Sequence, residues 1–183
     1  MTHPSFSLSR DRRLVAIGVV GFALALAAAS QVAIPLPGTP VPLTLQPLAV
    51  VLAGLWLGPA AGAASMALYI AAGAAGLPVF APMGAPGVLR LLGPTGGYIW
   101  SYPAAAFVVA LVGRRVPGFM GRVLAAALGI AAIHVGGLAQ LTVLTGSVER
   151  AATLGTFPFL LIDLVKASLA GLLSPSRSDR AQS

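Results

Sequence analysis

Apolar residues in this chain form long runs, with polar positions gathered where the runs end. The alternation of period two that marks half-buried strands is absent, so the runs read as helices. A helix rising 1.5 Å per residue needs about 20 apolar residues to cross a bilayer. On that measure six segments stand out: Leu14 to Ile34, Pro47 to Leu57, Pro59 to Gly76, Gly97 to Val112, Val123 to Leu144 and Phe157 to Leu173. The second and third are the shortest, and Gly58-Pro59 between them reads as either a kink or a tight turn. The pattern predicts an all-α fold: a polytopic membrane protein of six transmembrane helices, forming a single membrane domain over residues 1–183. Residues 1–13 and 174–183 are expected as cytoplasmic tails.

Composition strengthens the membrane reading. Hydrophobic residues make up 57% of the chain and charged residues 8%, against about 25% charged in soluble domains. No Asp, Glu, Lys or Arg occurs from Leu14 to Leu89. The 22 Gly and 15 Pro are compatible with membrane helices, where both are common. Arg10, Arg12 and Arg13 ahead of an apolar run ending in Ala27-Ala28-Ala29 also have the layout of a signal peptide. The length of the run, and the membrane domain that follows it, favour a first span instead.

Placement of Lys and Arg sets the orientation. With the amino terminus in the cytoplasm, eight of the 11 basic residues fall inside and only Arg90 and Arg150 outside, Lys166 lying within a span. Both termini are then cytoplasmic. The net charge of +7 does not point to nucleic acid, because the arginines are scattered at segment ends without interleaved aromatics.

Two expected outer loops, Pro35 to Gln46 (PLPGTPVPLTLQ) and Leu77 to Gly96 (LPVFAPMGAPGVLRLLGPTG), are rich in Pro and Gly yet largely apolar. Such loops are expected to fold over the helix ends as a lid.

Charge inside a span changes the picture most. Asp163 and Lys166 lie three residues apart in FPFLLIDLVKASLAGLL, so on a helix they share a face. Each costs roughly 2.5–3.5 kcal/mol to insert at the centre of a bilayer, which makes function the default reading. With the last helix entering from outside near Thr156, they lie roughly 10 and 15 Å deep, below the apolar loops. They read as a site for a small polar solute arriving from outside, with a structural ion pair or a proton relay as alternatives. Arg90 is the sole charge of the second loop and can clamp a carboxylate or meet headgroups. Thr44 and Gln46 can bond a ligand or cap the second helix. Tyr98 follows GPTGG. Trp56, Trp100 and Tyr102 are expected in interfacial belts. Glu149 and Arg150 are expected as a solvated pair. Helix one carries small residues four apart, Ala23 with Ala27 and Ala25 with Ala29, a spacing that lets helices approach closely.

Enzyme signals are weak. No Cys exists to ligate a metal, and His3 and His134 are far apart, so no metal site or cofactor is expected. His134, alone in an apolar run, reads as a core residue bonded to a backbone carbonyl. No HExxH or Ser-His-Asp set appears, and GPTGGY lacks the Lys-Ser/Thr of a phosphate loop. Uphill transport would therefore draw on an ion gradient or on a partner.

The stretch Pro40 to Ala81, containing VPLTLQPLAVVLAGLWLGPAAGAASMALYIAAGAAGLPVFA, resembles the BioY family, as do GPTGGY at Gly93 to Tyr98 and PF followed by DLVKA within Phe157 to Ala167. In order and spacing these blocks together are specific. After LPVFA the chain departs from the family's Gly-rich run, with Pro82, Met83, Ala85 and Pro86 stiffening it. The resemblance implies the bundle of an energy-coupling-factor (ECF) S component, with biotin bound near the outer face. It implies a transmembrane coupling subunit and a cytoplasmic ATPase pair as partners, with Ala23, Ala25, Ala27 and Ala29 docking on the coupling subunit. Asp163 and Lys166 would meet the ureido ring and Arg90 the carboxylate, while Tyr98, Gln46 and Thr44 complete the site. A proton-coupled secondary transporter, an S component for another vitamin and a purely structural subunit are the competing readings.

Overall fold

The computed structural model describes residues 5–174, with side chains described from Arg12 onward. The tails at 1–4 and 175–183, including Arg177 and Arg180, lie outside the described residues. Helix α1 spans Ser5–Gln31, so the stretch expected as a tail before Leu14 is already helical from Ser5. A short antiparallel ribbon follows, β1 (Ala33–Ile34) pairing with β2 (Leu43–Thr44) in the register Ala33 to Thr44 and Ile34 to Leu43. The ribbon folds the first outer loop back on itself, with Gly38 at φ 80°.

Helices α2 (Gln46–Leu57) and α3 (Pro59–Ala74) are separate. Gly58 takes φ 84° and ψ −177°, a conformation an L side chain rarely adopts, and Pro59 brings no N–H to carry on the first helix. The Gly58-Pro59 junction is therefore a break, and Pro59 opens the new helix at the position that suits it. After the second outer loop, with the short helix α4 (Val88–Leu92), come α5 (Gly96–Arg115) and α6 (Gly118–Thr145). The segment expected as an outer turn holds helix α7 (Val148–Gly155), capped by the Ser147 hydroxyl accepting from Arg150 N at 3.3 Å. A 3-10 turn (Phe157–Phe159) leads into α8 (Leu160–Leu173).

Four segments have the length and apolar character to cross a membrane: Arg12–Gln31, Gly96–Arg115, Gly118–Thr145 and Val148–Leu173. The other two expected spans, α2 and α3, are apolar but only 12 and 16 residues long. Leu14, Ile17, Leu24, Phe107, Leu128, Val135, Leu161 and Leu164 all point outward. A soluble monomer does not present so much apolar surface, whereas lipid solvates it.

The helices approach closely where glycine allows. A Cβ on Gly97 of α5 would run into the carbonyl of Gly136 on α6, and one on Gly54 of α2 into the carbonyl of Ala106 on α5. One apolar cluster lies beneath the outer loops around Tyr69, Met66, Phe80, Tyr98 and Tyr102. A second holds α2, α5, α6 and α8 together through Val51, Leu55, Val109, Ala126, Ala167 and Ala170.

Hydrogen bonds tie both outer loops to the bundle. The Thr39 hydroxyl donates to the Leu154 carbonyl of α7 at 2.5 Å. Ser30 and Gln31, at the end of α1, donate to the carbonyls of Val79 and Phe80 at 2.6 and 3.1 Å. Gln140 Nε2 of α6 donates to the carbonyls of Leu91 and Gly93 at 3.1 and 2.6 Å. The loops thus lie against the helix ends, as their apolar composition leads one to expect.

Candidate functional site

Helix α8 turns Asp163 and Lys166 inward on one face, where both are buried. Lys166 Nζ donates to Asp163 Oδ1 at 2.8 Å. The other carboxylate oxygen, Oδ2, lies 2.7 Å from His134 Nε2 of α6. His134 is therefore no isolated core residue bonded to a backbone carbonyl. It closes a cluster in which each oxygen of one carboxylate has its own donor, a strong arrangement in a water-poor site. With Asp163 ionised, Nε2 is the protonated ring nitrogen. Nδ1 of His134 is buried and has no hydrogen-bond partner among the described residues.

These three residues line a cavity enclosing about 630 Å³ of space, mouth included. Helix α5 supplies Tyr98, Ile99 and Tyr102, the first loop and the start of α2 supply Val41, Pro42, Thr44 and Gln46, and the second loop supplies Ala81, Arg90 and Thr95. Tyr98 is held by its hydroxyl, which donates to the Gly155 carbonyl at 2.6 Å. Its ring meets His134 edge-on, centroids 6.0 Å apart. Gly137 and Gly155 make room for that ring, because a Cβ at either would collide with Tyr98. Gln46 Nε2 donates to the Tyr69 hydroxyl at 2.8 Å, its Oε1 accepts from Thr44 Oγ1 at 3.3 Å, and its backbone N–H donates to Thr44 Oγ1 at 3.3 Å. Thr44 thus serves both the start of α2 and the cavity wall.

Arg90 sits on α4 and is only 7% exposed. Its Nη2 donates to the Ala81 carbonyl at 2.5 Å, and its Nε has no partner among the described residues. Desolvation lowers its pKa below the usual guanidinium value, while an arginine at neutral pH stays charged. Its burial beside the cavity leaves little of the side chain to meet headgroups.

All six residues expected at the ligand site (Asp163, Lys166, Arg90, Tyr98, Gln46 and Thr44) line this one cavity. Sequence reasoning missed His134 and Tyr102. Tyr102 is not in an interfacial belt, being 3% exposed and part of the wall, whereas Trp56 and Trp100 are exposed. Glu149 and Arg150 are exposed, but no ion pair joins them among the described residues. The four alanines of α1 do not share an outward face. Ala23 is buried in the chain's own core, and Ala27 and Ala29 pack against that core. Of the four, only Ala25 is exposed. No cluster of three or more metal-binding side chains occurs among the described residues.

Residues 4–183 match the BioY family. The chain belongs to that family. The probable biotin transporter BioY of Pyrococcus horikoshii is 38% identical over 135 residues, covering 74% of this chain and 79% of that protein. Biotin transporter BioY of Thermotoga maritima is 33% identical over 163 residues, 89% of this chain and 94% of its own length. The Rhodobacter capsulatus biotin transporter BioY is 37% identical over 177 residues, 90% and 92% of the two chains. The fold also matches a 2.1 Å crystal structure of the S-component for biotin from an ECF-type ABC transporter, with a TM-score of 0.82, 22% identity, and coverage of 94% of this chain and 92% of that one. At that identity the likeness speaks for the fold.

Proposed function

We propose that this BioY-family chain is the substrate-binding membrane component of a biotin uptake transporter. The observation that carries the reading is the buried Asp163–Lys166–His134 cluster in a cavity that Arg90 also lines. Biotin has a ureido ring with two N–H donors and one carbonyl at one end, and a carboxylate at the other. Asp163 retains lone pairs to accept a ureido N–H, and Lys166 has further N–H groups to donate to the ureido carbonyl. The Arg90 guanidinium, with Nε uncommitted, suits the carboxylate. Tyr98, Tyr102, Ile99 and Val41 would pack on the ring sulfur and the tail methylenes.

The ligand reaches the site from outside and is covered by the two apolar loops. The chain sits in a prokaryotic plasma membrane with both termini cytoplasmic. Uptake is driven by a transmembrane coupling subunit and an ATPase pair, consistent with a sequence that has no phosphate loop. The chain binds and presents biotin and catalyses no reaction.

The contact between His134 and Asp163 favours a second reading, in which this pair carries a proton in a secondary transporter. Labelled-biotin uptake in cells deficient in biotin transport separates the two. Accumulation that requires the coupling subunit and ATPases supports the proposal. Accumulation that persists without the ATPases and collapses with a protonophore supports proton coupling.

A further inference from the structure

A second cavity lies on the outer side of Arg90, between the two outer loops, and encloses about 750 Å³ of space, mouth included. It shares Pro42, Arg90 and Thr95 with the inner cavity, so these three side chains form the partition between the two. They come from three separate parts of the chain: the first loop, α4 and the turn before α5. We propose that the outer cavity is a subsite for a neutral, apolar substituent on the carboxyl group of biotin, so that the protein binds biotin amides as well as the free acid. The proposal rests on the reading of the inner cavity as a biotin site with the carboxyl group at Arg90.

Arg90 is held by the second outer loop. Nη2 donates to the Ala81 carbonyl at 2.5 Å. Gly84, at φ 94°, lets the loop pass so close to the guanidinium that a Cβ there would come within 2.9 Å of Nη1. The cation therefore stays at the boundary between the cavities. A carboxylate bound there has two oxygens. Arg90 Nε lacks an acceptor among the described residues, and the carbonyl oxygen of an amide can supply one, more weakly than a carboxylate. The other oxygen is the position from which an amide substituent would leave the inner cavity.

What lies beyond suits an apolar group. Among the residues lining the outer cavity, Arg90 alone is charged, and the rest of the wall includes Pro35, Pro40, Met83, Ala85 and Leu89. Proline brings no N–H to leave unpaired when water is displaced. A short alkyl chain buries apolar surface there. A cationic substituent would face the Arg90 guanidinium with no carboxylate in the wall and is disfavoured. A narrow entrance used only by the free acid would have no such preference.

The test titrates the full-length, detergent-purified protein with biotin, biotinamide and N-butylbiotinamide, using the wild type and Ala85→Trp. Exchanging a charge-assisted bond for a neutral one at Arg90 weakens the amides by about tenfold relative to biotin. The butyl compound binds at least as tightly as biotinamide. Ala85→Trp fills the outer cavity and weakens N-butylbiotinamide by about tenfold or more while leaving biotin unchanged. Two results would overturn the subsite while leaving the biotin reading intact: biotin binding with the butyl amide far weaker than biotinamide, or Ala85→Trp weakening both ligands equally. Failure of the folded wild type to bind biotin would remove the biotin reading and the subsite together.

Discussion

Asp163 keeps its charge inside an apolar helix because both oxygens are engaged, one by Lys166 on the next turn and one by His134 across the helix interface. Removing one partner of a buried charge is more damaging than removing the whole arrangement, because the remaining charge is left uncompensated. His134→Leu should therefore lower biotin affinity by about ten- to a hundredfold. His134→Gln, which keeps an N–H donor, should restore most of it, as read by titration of both variants. Loss of the same size in both would show that the imidazole does more than hold Asp163 in place. The buried pairing of Asp163 and Lys166 was legible in the sequence because charge within an apolar run is conspicuous. His134 was not, since its contact crosses from α6 to α8, 29 residues away. Tyr102 misled for a related reason. Trp100 and Tyr102 are neighbours in sequence, but two helical steps of about 100° put them on different faces, one toward lipid and one toward the cavity.

Turns and broken helices decide how the elements roof the cavity. The Gly58-Pro59 break makes two short helices of one apolar stretch, and α7 holds the first outer loop through Thr39. The same helix end receives the Tyr98 hydroxyl at Gly155, so loop and cavity wall are anchored on adjacent carbonyls. Thr39→Ala removes one neutral hydrogen bond, worth about 1 kcal/mol. It should speed biotin dissociation several-fold and leave the melting temperature nearly unchanged, as measured by stopped-flow release and thermal unfolding. Unchanged release would mean that the loop is not held over the ligand by this bond. Helix starts and ends were readable from Gly and Pro, and the apolar loops announced their packing. Helix α7 was not foreseen, because eight residues between two long apolar runs read equally well as a turn.

At the scale of the molecule, an apolar core is wrapped in an apolar exterior that a soluble protein would not present and that lipid solvates. Membrane character was legible from charge depletion alone. The outward face of α1 was not, since small residues recur on several sides of that helix and only packing distinguishes them. Ala23 is spent within the bundle, whereas Ala25 is free to meet another helix. If α1 docks on a coupling subunit, Ala25→Leu should leave biotin binding unchanged and reduce ATPase-dependent uptake severalfold, because a larger side chain prevents close helix approach. Equal uptake by the variant would place the docking face elsewhere.

The central claim, biotin held by the charged cluster of α8, is tested most directly by calorimetric titration of the purified protein with biotin beside its Asp163→Asn variant. Tight binding by the wild type, weakened about a hundredfold or more in the variant, is the predicted result. Equal affinity in the two proteins would contradict the assignment of Asp163 as the anchor.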